Sequence, residues 1–337
     1  LERSLSVDSR KLQDDLTQYQ HSGRWKSIWQ LINTLVPYAG LWYACSWALN
    51  NSVWLFIPLV ILLAGFMIRT FIIFHDCGHG SFFKSSNAND FWGVLTGILT
   101  FTPYFRWKAN HAKHHATSGN LDKRGIGDVW MMTLKEYQAA SPREQKTYRM
   151  YRNPWIMFFL GPLYIPLFDN RRPGKDDNAR DRRSVYRTNL ALIAYAAIMI
   201  LIFGWKNFLL IQLPSMYLAH FAGVWLFYVQ HQFEGVYWER NKKWDFVTAG
   251  LEGGSFFNLP WVLRWFTGSI GYHHIHHLNS RIPNYNLARC QNEIPVLKQA
   301  PEIGLFASFK SIKYKLWDEE SGQMVGFAAA REKQPAA

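Results

Sequence analysis

The chain has 337 residues, 49% hydrophobic, 17% aromatic and 18% charged, with a formal net charge of +13. That apolar content excludes a disordered chain, and an odd count of three Cys excludes a small disulfide scaffold. A mean hydropathy of −0.15 argues on its face against a membrane protein. However, 16 Trp, 16 Tyr and 24 Phe are unusual for a soluble enzyme, so the average must be taken apart along the chain.

Residues 1–30 are polar and mixed in charge and show no secretory-signal pattern. Two long apolar runs follow, Leu31 to Asn50 and Val53 to Phe74, with Asn51 and Ser52 between them. About 20 apolar residues carry a helix across a bilayer, and both runs meet that length. Two shorter runs, Phe91 to Phe105 and Pro154 to Phe168, are too short to span and predict in-plane or re-entrant helices. The basic stretch RRPGKDDNARDRR occupies 171–183. Two further apolar runs, Asn189 to Phe203 and Phe208 to Tyr228, complete a second pair, the first of them needing its flanks or a thinned bilayer. The stretch from Ser321 onward is Ala-rich and polar and predicts a frayed end.

The expected fold is therefore an all-α integral membrane protein. Four transmembrane helices, at about 31–50, 53–74, 189–206 and 208–228, form two hairpins, with in-plane helices and a polar helical cap. The membrane domain is expected over 31–290, between an N-terminal segment 1–30 and a C-terminal segment 291–337. Charge supports this arrangement. Of the 37 Lys and Arg, 35 lie in 1–34, 75–189 and 231–337, all on one expected side. The exceptions are Arg69, near a span end, and Lys206, in a tight turn. By the positive-inside rule both termini and the cap face the cytoplasm. Because the charge follows the membrane boundary, it does not point to nucleic acid.

Nine of the 12 His fall into three clusters: His75 and His79; His111, His114 and His115; His273, His274, His276 and His277. On a helix, residues three and four apart share a face, so each cluster can aim two or three imidazoles at one point. His274 lies at the edge of its cluster's face. His231 stands just after the fourth apolar run, where it can join the clusters, whereas His220 lies inside that run and reads as an intramembrane polar contact. His21 has no partner in sequence. Neutral imidazole suits iron, zinc, copper and nickel. Nine candidate ligands are too many for one metal. Two six-coordinate metals would keep open positions, whereas two tetrahedral zincs would be closed.

The segments HDCGHGSFF (75–83), HAKHHATSGNLDKRGIGDVW (111–130), QHQFEGVYWE (230–239) and GYHHIHHLNSRIPNYNL (271–287) resemble the membrane fatty acid desaturases, a diiron family with three histidine boxes. The resemblance covers about 50–290, and the wording of the boxes is most similar to bacterial and plastid-type acyl-lipid omega-6 (delta-12) enzymes. It implies His75, His79, His111, His114, His115, His231, His273, His276 and His277 as ligands of two iron ions. It also implies O2 as co-substrate, a fatty acyl lipid as substrate and a cis double bond as product. Asp76, Asp128 and Glu234 lie near the boxes and are candidates to orient ligand imidazoles.

No His-Pro-Gly-Gly motif of a fused haem carrier occurs, so a separate electron donor is expected, ferredoxin or a small haem protein. The basic run at 171–183 reads first as an anchor beside anionic headgroups and second as a dock for an acidic donor. The expected location is a bacterial inner membrane, with the active site on its cytoplasmic face. Two other readings remain open at this level. One is a lipid hydroxylase or ketolase on the same iron site. The other is a metal-ion transporter, which the scarcity of His within the spans disfavours.

Overall fold

The apolar runs form helices longer than themselves, because nothing in their polar flanks stops a helix until a glycine or an extended residue intervenes. The computed structural model describes residues 8–125 and 127–332. A short amphipathic helix α1 (Ser9–Thr17) precedes α2 (Arg24–Asn51) and α3 (Val53–His79), which pack against each other with Ser52 alone between them. Next come α4 (Ser86–Leu99) and α5 (Tyr104–Thr117), then three short helices, α6 (Leu134–Ala139), α7 (Pro142–Tyr151) and α8 (Gly161–Leu167). Gly204 alone separates α9 (Ala179–Phe203) from α10 (Trp205–His231). The cap is completed by α11 (Phe246–Gly253), α12 (Trp261–Phe266), α13 (His273–Leu278), α14 (Asn284–Glu293) and α15 (Ala329–Glu332).

Of the four expected spans, three are helices long and apolar enough to cross a membrane: α3, α9 and α10. The first, α2, has the length but not the apolarity, since Asn33, Thr34, Ser46 and Asn50 dilute its run. The third ends at Phe203, not at 206, because Gly204 breaks the helix there. The bilayer-length part of α9 is mostly uncovered by protein, with Leu190 69% and Leu201 86% exposed. By contrast, α3 is enclosed by α2, α4 and α10. The bundle core is built from Tyr38, Trp42, Leu63, Met67, Ile211 and Met216.

Two further expectations need correction, over Phe91 to Phe105 and at the end of the chain. Phe91 to Phe105 is not one in-plane helix. The chain turns between α4 and α5, where Thr102 N–H reaches back to the Gly97 carbonyl at 2.7 Å and Phe101 takes a left-handed φ of 57°. The run at 154–168 is helical but opens with a wider π turn, Ile156–Leu160, ahead of α8. The end of the chain is not frayed over its described part. Gln323–Val325 pairs antiparallel with Leu316–Asp318, Met324 is buried beside Trp317, and Ala330 of α15 is buried too. Apolar Met324, Val325 and Phe327 supply that docking within an otherwise polar stretch. Residues 1–7 and 333–337 of the expected terminal segments lie outside the described residues.

The molecule is mostly helical, as expected, but its cap also carries two small sheets. Strand β1 (Met132–Thr133) runs parallel to β4 (Leu316–Asp318), which pairs with β5 (Gln323–Val325). Strand β2 (Phe256–Asn258) runs parallel to β3 (Glu302–Gly304). These pairings tie the C-terminal segment to the loops that follow α5 and α11. A separate cap core, with Leu16, Leu251, Ile275, Leu287 and Leu297, packs α1, α11 and α14 around α13.

The joint between α4 and α5 depends on a missing side chain. A Cβ on Gly93 would lie 2.1 Å from the Tyr104 ring, which is itself fixed by a bond from its hydroxyl to the Cys77 carbonyl. Gly93→Ala is therefore expected to cost about 1–3 kcal/mol through overpacking and to lower the melting temperature of the detergent-solubilised protein. An unchanged melting temperature would contradict this packing.

Candidate metal centre

Each histidine cluster sits where a helix ends. His75 and His79 occupy the last turn and a half of α3. The helix stops immediately after His79 because Gly80 adopts a left-handed φ of 69°. Its N–H then reaches the Cys77 carbonyl, and the Ser81 N–H reaches that of Asp76. His111, His114 and His115 lie on the last two turns of α5, His231 is the last residue of α10, and His273 opens α13. The predicted helical spacing is thus realised in all three clusters.

The structure brings eight of the nine expected ligands into two groups. The ligand nitrogens of His75, His79, His111 and His276 lie within 4.8 Å of one another, as do those of His114, His231, His273 and His277. The ninth, His115, lies between the groups. Its ring stacks on His277 at 4.3 Å and touches His276 at 4.5 Å and His111 at 4.6 Å. His274 joins neither group; its Nε2 faces the Gln291 side-chain oxygen at 2.9 Å. Burial pushes the His274 imidazole down to about 4. His220 hydrogen-bonds the Met216 carbonyl of its own helix at 2.9 Å, also away from both groups.

Two of the three candidate carboxylates meet a box histidine. Asp128 lies 2.6 Å from His114 Nδ1, and Asp76 lies 3.1 Å from His75 Nδ1. A carboxylate only accepts, so Nδ1 is the donor in each pair and Nε2 is the nitrogen left to face a metal ion. Asp76 is held in turn by the Asn284 backbone and side-chain N–H groups at 2.7 and 2.8 Å. Asn284 also pairs with Gln30, which links α2, α3 and α14 behind the site. Gly127 lets Asp128 approach: φ is 72°, and a Cβ there would lie 3.0 Å from the His114 Cβ. The expectation for Glu234 is corrected. It is exposed, and its carboxylate accepts from the Tyr314 hydroxyl at 3.2 Å, because it lies beyond the end of α10 and on the surface.

The orphaned nitrogens test the fit to metal. Nε2 of His79, His114 and His276 is buried with no hydrogen-bond partner among the described residues. Elsewhere nitrogen faces nitrogen: His231 and His273 at 2.8 Å, His75 and His111 at 3.1 Å, His273 and His277 at 3.1 Å. Such a contact holds at most one shared proton, and buried polar atoms without partners are costly. Burial, reinforced by the neighbouring rings, holds His111, His115, His276 and His277 well below the ordinary imidazole value. Neutral imidazoles with converging lone pairs are the donor set that binds first-row transition metals.

Motif reasoning missed the residues that brace the rings. Trp107 stacks on His111 at 4.2 Å, and Phe227 packs 5.1 Å from His231. Each stands four residues before the histidine it supports, a signal the helical spacing does contain. Asn284 and Gln30 carry no such signal, because only the tertiary fold brings them to Asp76.

A bundle with three helices long and apolar enough to cross a membrane, ending in two four-histidine groups that could each hold a metal ion, defines the class of the molecule as a membrane-type helical protein with a histidine site. The family model described as fatty acid desaturase matches residues 52–306, and the chain belongs to that family. It is similar to a fatty acid desaturase of Bacillus subtilis, 46% identical over 330 residues, covering 98% of this chain and 94% of the relative. It also resembles an sn-1 acyl-lipid omega-3 desaturase (ferredoxin) of Synechocystis sp., 29% identical over 269 residues, 72% of this chain and 69% of the relative. An sn-1 oleoyl-lipid 12-desaturase of Anabaena variabilis is 26% identical over 276 residues, 80% of this chain and 76% of the relative.

Removing a partner that orients a ligand imidazole typically costs 10–100-fold in metal affinity. Asp128→Ala is thus expected to weaken metal binding at the group containing His114 by about that factor in a chelator competition titration, while His274→Ala leaves metal stoichiometry unchanged. Unaltered affinity in Asp128→Ala would show that the carboxylate does not serve His114 as a ligand.

Proposed function

We propose that the chain is a diiron acyl-lipid desaturase that places a cis double bond in a fatty acyl chain at the cytoplasmic face of a bacterial inner membrane. The observation that carries this reading is the pair of four-histidine groups with unpartnered nitrogens. Eight imidazoles shared between two metals leave open positions on six-coordinate iron, whereas tetrahedral zinc would be saturated. Iron bound there would supply the oxygen-dependent removal of two hydrogens from neighbouring methylenes.

The chain's own residues do the holding. His75, His79, His111 and His276 would bind one ion, and His114, His231, His273 and His277 the other, with His115 between them. Asp76 and Asp128 fix the orientation of His75 and His114. Phe227 and Trp107 restrict ring motion and keep water from that side. Electrons come from a separate protein, a reading supported by the ferredoxin in the printed name of the Synechocystis relative.

α2 is the fourth span in this reading. It pairs with α3 along its length and turns Ile32, Val36, Tyr43 and Trp47 outward, where lipid would cover them. The one-sided distribution of Lys and Arg supports the cytoplasmic orientation. The wording of the boxes and the 12-desaturase of Anabaena favour the twelfth carbon, although the relatives carry omega-3 names as well.

Expression in a bacterial host with saturated and monoenoic lipids tests this directly. Gas chromatography with mass spectrometry should show a new cis double bond, with a diene if the twelfth carbon of a monoenoic chain is the target. His276→Ala should abolish the product while the protein still inserts in the membrane. Hydroxylated chains with no new double bond would contradict the desaturase reading, and a new double bond at another carbon would correct the position alone.

A further inference from the structure

The end of the basic run at 171–183, which forms the start of α9, has no part in the metal centre, yet it borders a cavity of about 580 Å³ between α4 and α9. Arg180, Arg183 and Arg187 line it on one side, at spacings of three and four that place them on one face of α9. Val94 and Ile98 of α4 and Ala191 of α9 supply an apolar floor. Arg180 is already engaged. It lies 4.0 Å over the Phe105 ring and 3.4 Å from Asp90, whose other oxygen takes Lys108. Arg183 and Arg187 are exposed and have no carboxylate partner among the described residues. Two free guanidinium groups therefore stand at one end of the cavity and hydrocarbon at the other.

The position along α9 gives this polarity its meaning. Arg187 is the last charged residue before the apolar run that begins at Asn189, so the cavity straddles the level at which the helix passes from polar to apolar surroundings. Beyond that level α9 leaves Leu190 and Ile193 uncovered, and α4 leaves Phe91 and Leu95 uncovered. A ligand that matches the site must be anionic at one end and an alkyl chain at the other. Guanidinium groups bind phosphate oxygens through paired, charge-assisted hydrogen bonds.

We infer that this cavity is a binding site for an anionic membrane phospholipid, with the phosphate on Arg183 and Arg187 and an acyl chain on Val94, Ile98 and Ala191. The inference rests on α9 crossing the bilayer and not on the chemistry at the histidines. A soluble acidic protein would use the arginines but leave the apolar floor unfilled.

Native mass spectrometry of the full chain in neutral detergent tests it, with phosphatidylglycerol and phosphatidylcholine of identical chains as probes. The wild type should retain phosphatidylglycerol in preference to phosphatidylcholine. The Arg183→Gln/Arg187→Gln pair should lose that preference by about thirtyfold, from about 1 kcal/mol for each basic residue facing anionic lipid, with phosphatidylcholine unaffected. Ala191→Trp, which fills the floor, should reduce retention of both lipids. Arg143→Gln/Arg281→Gln, exposed arginines elsewhere, should change nothing. Monodispersity and melting temperature identify any variant that has failed to fold, and Arg183→Lys/Arg187→Lys then provides the comparison, expected to keep the preference for the anionic lipid. Three results would overturn the inference: an undiminished preference in the Gln pair, equal loss of both lipids in that pair, or full displacement of the lipid by inorganic phosphate. Because lipid retention is read without turnover, its failure is distinct from failure of the desaturase reading.

Discussion

Nine imidazoles crowd together at the polar end of the bundle, six of them buried and His79, His111 and His115 half-buried, facing one another through their ring nitrogens. Without a cation among them, this arrangement carries the cost of desolvation and leaves nitrogens such as His79 and His114 Nε2 without partners. With cations, the same lone pairs become ligands. Much of the surrounding structure serves to hold that crowd in place. Gly80 ends α3 at the residue after His79, and Gly127 admits Asp128 to His114. Asn284 and Gln30 fasten Asp76 from two other helices.

The two halves of the molecule divide the work by solvent. In the membrane half, lipid takes the place of a protein core around α9, so its apolar surface remains uncovered by protein. In the cap, a conventional core anchors α13, a helix of six residues that could not persist alone. That short helix still carries His273, His276 and His277, because α11 and α14 pack around it. The histidine groups therefore lie where this cap meets the ends of α3 and α10.

Much of this was legible in the sequence because it is periodic. Apolar length marks the long helices, and spacings of three and four mark the faces on which the histidines gather. His274 was set aside by its angle around the helix, and it faces Gln291 instead of either group. What escaped depended on distance in space. Glu234 looked near a box yet points to Tyr314, since the chain leaves α10 for the surface there. The parallel pairing of β1 with β4, some 180 residues apart, is encoded by no local pattern, and it ties the β4–β5 pair to the loop after α5. α2 shows the limit of hydropathy itself. Its polar and aromatic residues lower its apolarity although it packs along α3 like a span.

Two metals rather than one, and iron rather than zinc, form the centre of this account. Anomalous scattering recorded above and below the iron absorption edge, from crystals of the protein purified with its native metal, tests both at once. The account predicts two iron peaks, one within the group formed by His75, His79, His111 and His276, the other within that formed by His114, His231, His273 and His277. A single peak, or peaks that appear only at the zinc edge, would contradict it.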